Sequence, residues 1–128
     1  MVDTIKVTDA GMSIVTNRLK DSGTSPDYLH WGTGTTTAAN ANTALETASG
    51  HESRVQGTMT QQTTNVSNDT YQVVGTLTCA TGAKAITEAG LFDASSSGNM
   101  FLRGTFSAIN VNVADSIEFT IKAAFDQA

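Results

Sequence analysis

The feature that most limits what this chain can become is an apolar–polar alternation of period two, repeated through its later part. It is clearest in SIEFTIKAAF, where Ile117, Phe119, Ile121, Ala123 and Phe125 share one side. In DTYQVVGTLTCA the same side holds Tyr71, Val73, Gly75, Leu77 and Cys79, and in MFLRGTFSA it holds Met100, Leu102, Gly104 and Phe106. SRVQGTMTQQTTNV reads as one more strand, with Val55, Gly57, Met59 and Gln61 aligned. Successive side chains of a strand point to opposite faces, so this pattern describes sheets with one buried and one wet face. Phe119 and Ile121, at the centre of the most regular segment, are expected to anchor the core. AITEAGLFD is a further strand, and INVNVADS reads as a return segment.

Turn clusters SND, TGAK and ASSSGN separate these strands at roughly ten-residue spacing, which is the rhythm of a sandwich or barrel. Helical crossovers between them are absent, which excludes a parallel α/β sheet. The 21 threonines suit a pleated surface and supply the wet face. Glycines 57, 75, 90 and 104 fall inside strands and mark bulges or close backbone approach. The expected fold is mainly β: an antiparallel β-sandwich or barrel, jelly-roll-like, with one short N-terminal helix.

That helix comes from DAGMSIVTNRLKDSG. Met12, Val15 and Leu19 recur at helical spacing, Thr8 or Asp9 can cap the start, and Arg18 and Lys20 suit the C-terminal dipole. Gly23 and Pro26 end it, so the helix is expected from about 9 to 20. Residues 1–8, with Val2, Ile5 and Val7, read either as an extended N-terminal arm or as the first strand, and 9–128 as a single β domain. Tyr28 to Trp31 form a short strand, and ANTALETAS has room for one helical turn.

Composition narrows the chemistry. Net charge is -5, with seven basic residues and no run of them, which argues against nucleic acid as a partner. No stretch approaches the roughly 20 apolar residues of a membrane helix. The start, MVDTIKVTDAG, lacks the basic and apolar regions of a signal peptide, so synthesis in a cytoplasm is expected. Cys79 is the single cysteine and sits on the apolar side of its strand. GTGTTT, residues 32–37, lacks the lysine and the glycine spacing of a phosphate loop, so Gly32 and Gly34 read as architectural. His30 and His51 match no metal signature, and no nucleophile motif accompanies them. No cofactor, metal or catalytic residue is expected.

One carboxylate stands out. Glu88 lies inside the apolar run AITEAGLFD, and a charge there must be either exposed or paired. Arg103 is the first candidate partner and Arg54 the second.

These pieces, taken in order, resemble small tailed-bacteriophage virion proteins and tail-fibre modules. Those carry a strand-loop ending in GTG, then a TxLE segment before an arginine, then an EAGLF hairpin whose second strand bears an arginine. The matching residues are Gly32, Thr33, Gly34, Thr43, Leu45, Glu46, Arg54, Glu88, Gly90, Leu91, Phe92 and Arg103, and the likeness runs from about residue 8 to 107. The second acid of the pattern is met only by Glu52, set apart from Glu46 by ASGH. The resemblance implies a structural role on a virion and no enzymatic activity. The expected function is a capsid decoration (cement) protein, a homotrimer bound to the major capsid protein on the head surface. Val2, Ile5 and Val7 would then form the capsid-binding arm. The alternative is a tail, neck or fibre component with a host-binding or connector role.

Overall fold

A computed structural model describes residues 7–21 and 24–125. The order of elements is α1 (Asp9–Asp21), β1 (Tyr28–Gly32), β2 (Val55–Gln56), β3 (Thr58–Gln62), β4 (Thr70–Thr78), β5 (Lys84–Phe92), β6 (Met100–Val111) and β7 (Ser116–Ala124). The strands form two antiparallel sheets, ordered β2-β1-β5-β6 and β3-β4-β7. Among the described residues neither sheet closes on itself, so they form two open sheets and no closed barrel.

The core lies between the sheets. Leu29 and Trp31 come from β1, Tyr71, Val73 and Leu77 from β4, and Ile86, Ala89 and Leu91 from β5. The inward residues of β5 pass from Ile86 to Ala89 and Leu91 across an irregularity in the β5–β6 register between Ile86 and Glu88. Glu88 and Gly90 are thereby turned to the other face. That face would ordinarily be wet, yet every residue from Ile86 to Phe92 is buried, because the segment between β1 and β2 folds over it.

Several sequence expectations are corrected. SRVQGTMTQQ is not one strand: it divides at Gly57 into β2 and β3, which belong to different sheets. A Cβ at position 57 would stand 2.4 Å from Val73 Cγ1, so only glycine lets the chain cross so close to β4. In INVNVADS, residues 109–111 are not a return segment but the end of β6, and the turn follows at 112–115. ANTALETAS forms turns and an isolated bridge rather than a helical turn.

In α1 the inward side chain is Thr16, fully buried, whereas Val15 is exposed and Leu19 half-buried. Thr16 is held inside by polar contacts: its hydroxyl donates to Asn68 O at 2.6 Å and accepts from Gln61 Nε2 at 2.7 Å. The side chain of Met12 lies outside the described residues. So do Val2 and Ile5, while Val7 is exposed.

Phe119 and Ile121 pack against the core but remain half-buried, because β7 is the edge of its sheet. Trp31, Tyr71, Leu29 and Leu91 hold the fully enclosed centre instead.

Candidate functional site

The densest polar constellation joins the segment 32–47 to β5 and β6. β1 ends at Gly32, and the chain turns back so that Thr33 N–H donates to Thr47 O at 3.0 Å and Ser49 N–H to Trp31 O at 3.1 Å. The Glu88 carboxylate lies inside this loop. It accepts from Gly34 N–H (3.1 Å), Thr47 N–H (2.8 Å), Glu46 N–H (3.1 Å) and Arg103 Nε (2.7 Å). The Glu88 side chain has no exposed surface and that of Arg103 is 2% exposed.

The same geometry explains the glycines. A Cβ on Gly32 would lie 2.3 Å from Thr47 O and 2.5 Å from Glu88 Oε1. One on Gly34 would lie 2.5 Å from Glu46 Cβ and 2.7 Å from Glu88 Oε1. The GTG stretch therefore wraps a carboxylate of its own chain. Backbone N–H groups cradle an anion here, as they would a phosphate, but the anion is built in.

Arg103 extends the network. Its Nη1 donates to Asn42 Oδ1 at 3.1 Å, its Nη2 donates to Thr36 O at 3.0 Å, and Nη2 lies 3.6 Å from Glu46 Oε2. Glu46 in turn accepts from Thr36 N–H at 2.8 Å and from the Thr36 hydroxyl. Thr87 Oγ1 donates to Gly34 O at 2.7 Å. Burial would raise the Glu88 pKa, but the Thr47 N–H, Arg103 and the Glu46 and Gly34 N–H groups outweigh it and hold the carboxyl below its ordinary value. Glu88 is thus an ionised, saturated group.

Arg54 does not reach Glu88. Its Nη1 donates to Ala94 O and Ser97 O, both at 2.8 Å, and its guanidinium lies 3.6 Å from the Phe92 ring centroid. It fastens the β5–β6 turn by hydrogen bonds and cation–π contact. Gly90 sits under the loop: a Cβ there would be 3.0 Å from Leu102 O and 3.2 Å from Leu45 Cδ2.

Three further carboxylates are buried outside this network, Asp27, Glu52 and Asp69, and Asp27 accepts from Gln56 Nε2 at 2.8 Å. Glu52 pairs with Lys84 Nζ at 2.7 Å and accepts from Ala80 N–H (2.8 Å), Trp31 Nε1 (3.3 Å) and the Ser49 hydroxyl. Desolvation opposes its charge, but Lys84, Ser49, Ala80 and Trp31 lower its pKa to about 2. Its partners are up to 32 residues away in sequence, so no local signal announces it. Asp69 accepts from the N–H groups of Thr64, Asn65 and Val66 and from the Thr70 hydroxyl. The Val66 and Thr64 N–H groups chiefly hold its carboxyl far below the usual range. The turn signal SND was the visible trace of that role.

Among the described residues, no three His, Cys, Asp or Glu side chains converge as a metal site. His30 Nε2 hydrogen-bonds Glu52 O at 2.8 Å, and His51 is exposed. Cys79 is buried, 3.1 Å from Gly82 O. No buried side-chain nitrogen or oxygen among the described residues lacks a hydrogen-bond partner. The arrangement is chemically closed: it fixes a loop onto a sheet and presents no poised nucleophile, acid or base.

What remains available for contact is surface. Ile14 and Val15 expose apolar side chains on α1, and Phe101, Ile109 and Val113 do so around β6 and the turn after it. Residues 15–124 match a family model described as Podophage GP4 fiber I protein gp80. No curated protein and no solved structure matches the chain.

Proposed function

The chain belongs to the podophage GP4 fiber I protein gp80 family and is a structural component of a tailed-phage virion, and from that premise we propose that it serves in the fibre or tail rather than as a cement on the head. The observation that carries this reading is the extent of the match, which takes in α1 from Val15 onward and all seven strands. The Glu88 network supports it. A loop locked to the sheet by a buried ion pair and backbone N–H groups gives a rigid module, which a mechanically exposed appendage requires. The exposed Ile14 and Val15 lie on the helix that follows residues 1–8, and this end of the domain offers an apolar contact to the neighbouring virion protein.

Gold-labelled antibody against the protein, applied to purified particles, tests the reading. Label gathered at the tail vertex or along appendages is the expected image. Label spread over the whole head would overturn it in favour of decoration, with the major capsid protein as the partner.

A further inference from the structure

The free edges of the two sheets are unlike one another. β2 has two residues. β3 has α1 beside it, with Gln61 hydrogen-bonded to Ser13 and Thr16. β6 is interrupted by register shifts opposite Ile86/Glu88 and Leu91/Phe92. β7 alone runs nine residues against its neighbour in unbroken register, with neither proline nor glycine. Its edge charges are one of each sign, Glu118 and Lys122, so they blunt the edge against a strand of like charge but not against one that matches them.

Hydrogen bonds at both ends of the β4–β7 ladder set the direction of that edge. Phe125 N–H donates to Asp69 O at 3.0 Å, and Cys79 N–H donates to Asp115 O at 2.8 Å. Both residues on the β7 side are odd-numbered, and the register between them has no shift. The odd residues of β7 therefore direct their backbone groups toward β4. Ser116, Glu118, Thr120, Lys122 and Ala124 direct theirs outward, where no strand among the described residues meets them.

The side chains on this edge are symmetric about Thr120. Glu118 and Lys122 stand two residues to either side, both exposed, and neither belongs to any ion pair among the described residues. Within the chain they lie opposite Thr76 and Gln72, which carry no charge. A two-fold axis through Thr120 would bring Glu118 opposite Lys122 of a second copy, and Lys122 opposite its Glu118. These would be hydrogen-bonded pairs, because the even-numbered backbone groups face outward. On the inner face Phe119 would meet Ile121 of the second copy, covering two side chains that the single chain leaves half-buried.

We propose that β7 is a homotypic docking strand: two copies of this chain pair antiparallel through β7, centred on Thr120, and join their three-stranded sheets into one. Backbone hydrogen bonds would supply affinity, and the crossed Glu118–Lys122 contacts would set register. The inference does not depend on the fibre reading, and it replaces the three-fold association expected from the sequence.

Sedimentation of the full chain over a wide concentration range tests it, with circular dichroism confirming that each variant is folded. The wild type should show a monomer–dimer equilibrium. Glu118→Lys and Lys122→Glu should each weaken it about tenfold or more, since like charges then face each other twice per dimer. The double variant E118K/K122E should recover to within about twofold. Thr120→Cys should cross-link between chains under mild oxidation, because directly opposed Cα atoms lie about 5.5 Å apart, within disulfide reach. Thr76→Cys, exposed on the neighbouring strand, should not. A monomer at every concentration, a trimer, or a dimer indifferent to the single charge reversals would overturn the proposal.

Discussion

Arg103 donates from Nε to Glu88 Oε2 at 2.7 Å, with both side chains removed from solvent, and the pair joins neighbouring strands β5 and β6 beneath a loop that contributes three backbone donors. A buried pair of this kind is costly to break, because the surviving charge is left without compensation. Glu88→Ala and Arg103→Ala should each lower unfolding free energy by about 3–5 kcal/mol in urea titrations. The double variant should cost clearly less than the sum, with a coupling of about 1–3 kcal/mol. Strict additivity would show that the two groups act independently.

Gly34→Ala inserts a Cβ 2.5 Å from Glu46 Cβ and 2.7 Å from Glu88 Oε1, so the loop must move off the carboxylate. The expected loss is about 1–3 kcal/mol, together with faster amide exchange at Thr47. Gly50→Ala meets nothing within 4 Å and serves as the control, with a change within about 0.5 kcal/mol. Equal stability of the two variants would contradict the close approach.

Acid sensitivity follows from Glu52. Its folded pKa, about 2, lies below the ordinary 4.5, so the folded state binds its proton less readily than the unfolded state does. Its contribution is present above about pH 4.5 and is lost as pH falls toward 2. Glu88, Glu46 and Asp69 are lowered too and steepen the same acid limb. Thermal melts should be flat near neutrality and fall below about pH 5. Glu52→Gln should be less stable at pH 7 and show a shallower acid limb. A variant with the wild-type pH profile would remove Glu52 from this role.

Phe119 packs edge-on to Trp31, with ring centroids 6.4 Å apart, and against Phe106 at 6.0 Å, yet it stays half-buried. Phe119→Ala should therefore cost about 2–3 kcal/mol, below the 3–5 typical of an enclosed aromatic residue. Trp31→Ala should cost more, since Trp31 is fully enclosed and its indole N–H serves Glu52. The reverse order in chemical denaturation would place the core centre nearer β7 than the packing does.

Much of the fold was legible in local pattern. Alternation in DTYQVVGTLT and SIEFTIKAA specified β4 and β7, because a period of two is a property of the strand itself. Helical spacing and Gly23 and Pro26 bounded α1, although its inward residue, Thr16, escaped because a buried threonine depends on acceptors in another segment. A carboxylate within AITEAGLF had to be either exposed or paired, and the structure shows it paired. Of the two arginines, Arg103, the first candidate, is the partner. Arg54 and Arg103 are equal as charges, and only the β5–β6 register, with Gly90 opposite Arg103, carries the latter to Glu88. The division of SRVQGTMTQQ between two sheets, the covering of β5 on both faces and the Glu52–Lys84 pair were likewise decided by tertiary structure. Each depends on contacts between residues distant in sequence, which appear only once the sheets have chosen their neighbours. Local alternation determined which segments are strands. Long-range register determined what lies across from each residue, and with it the Glu88–Arg103 pair.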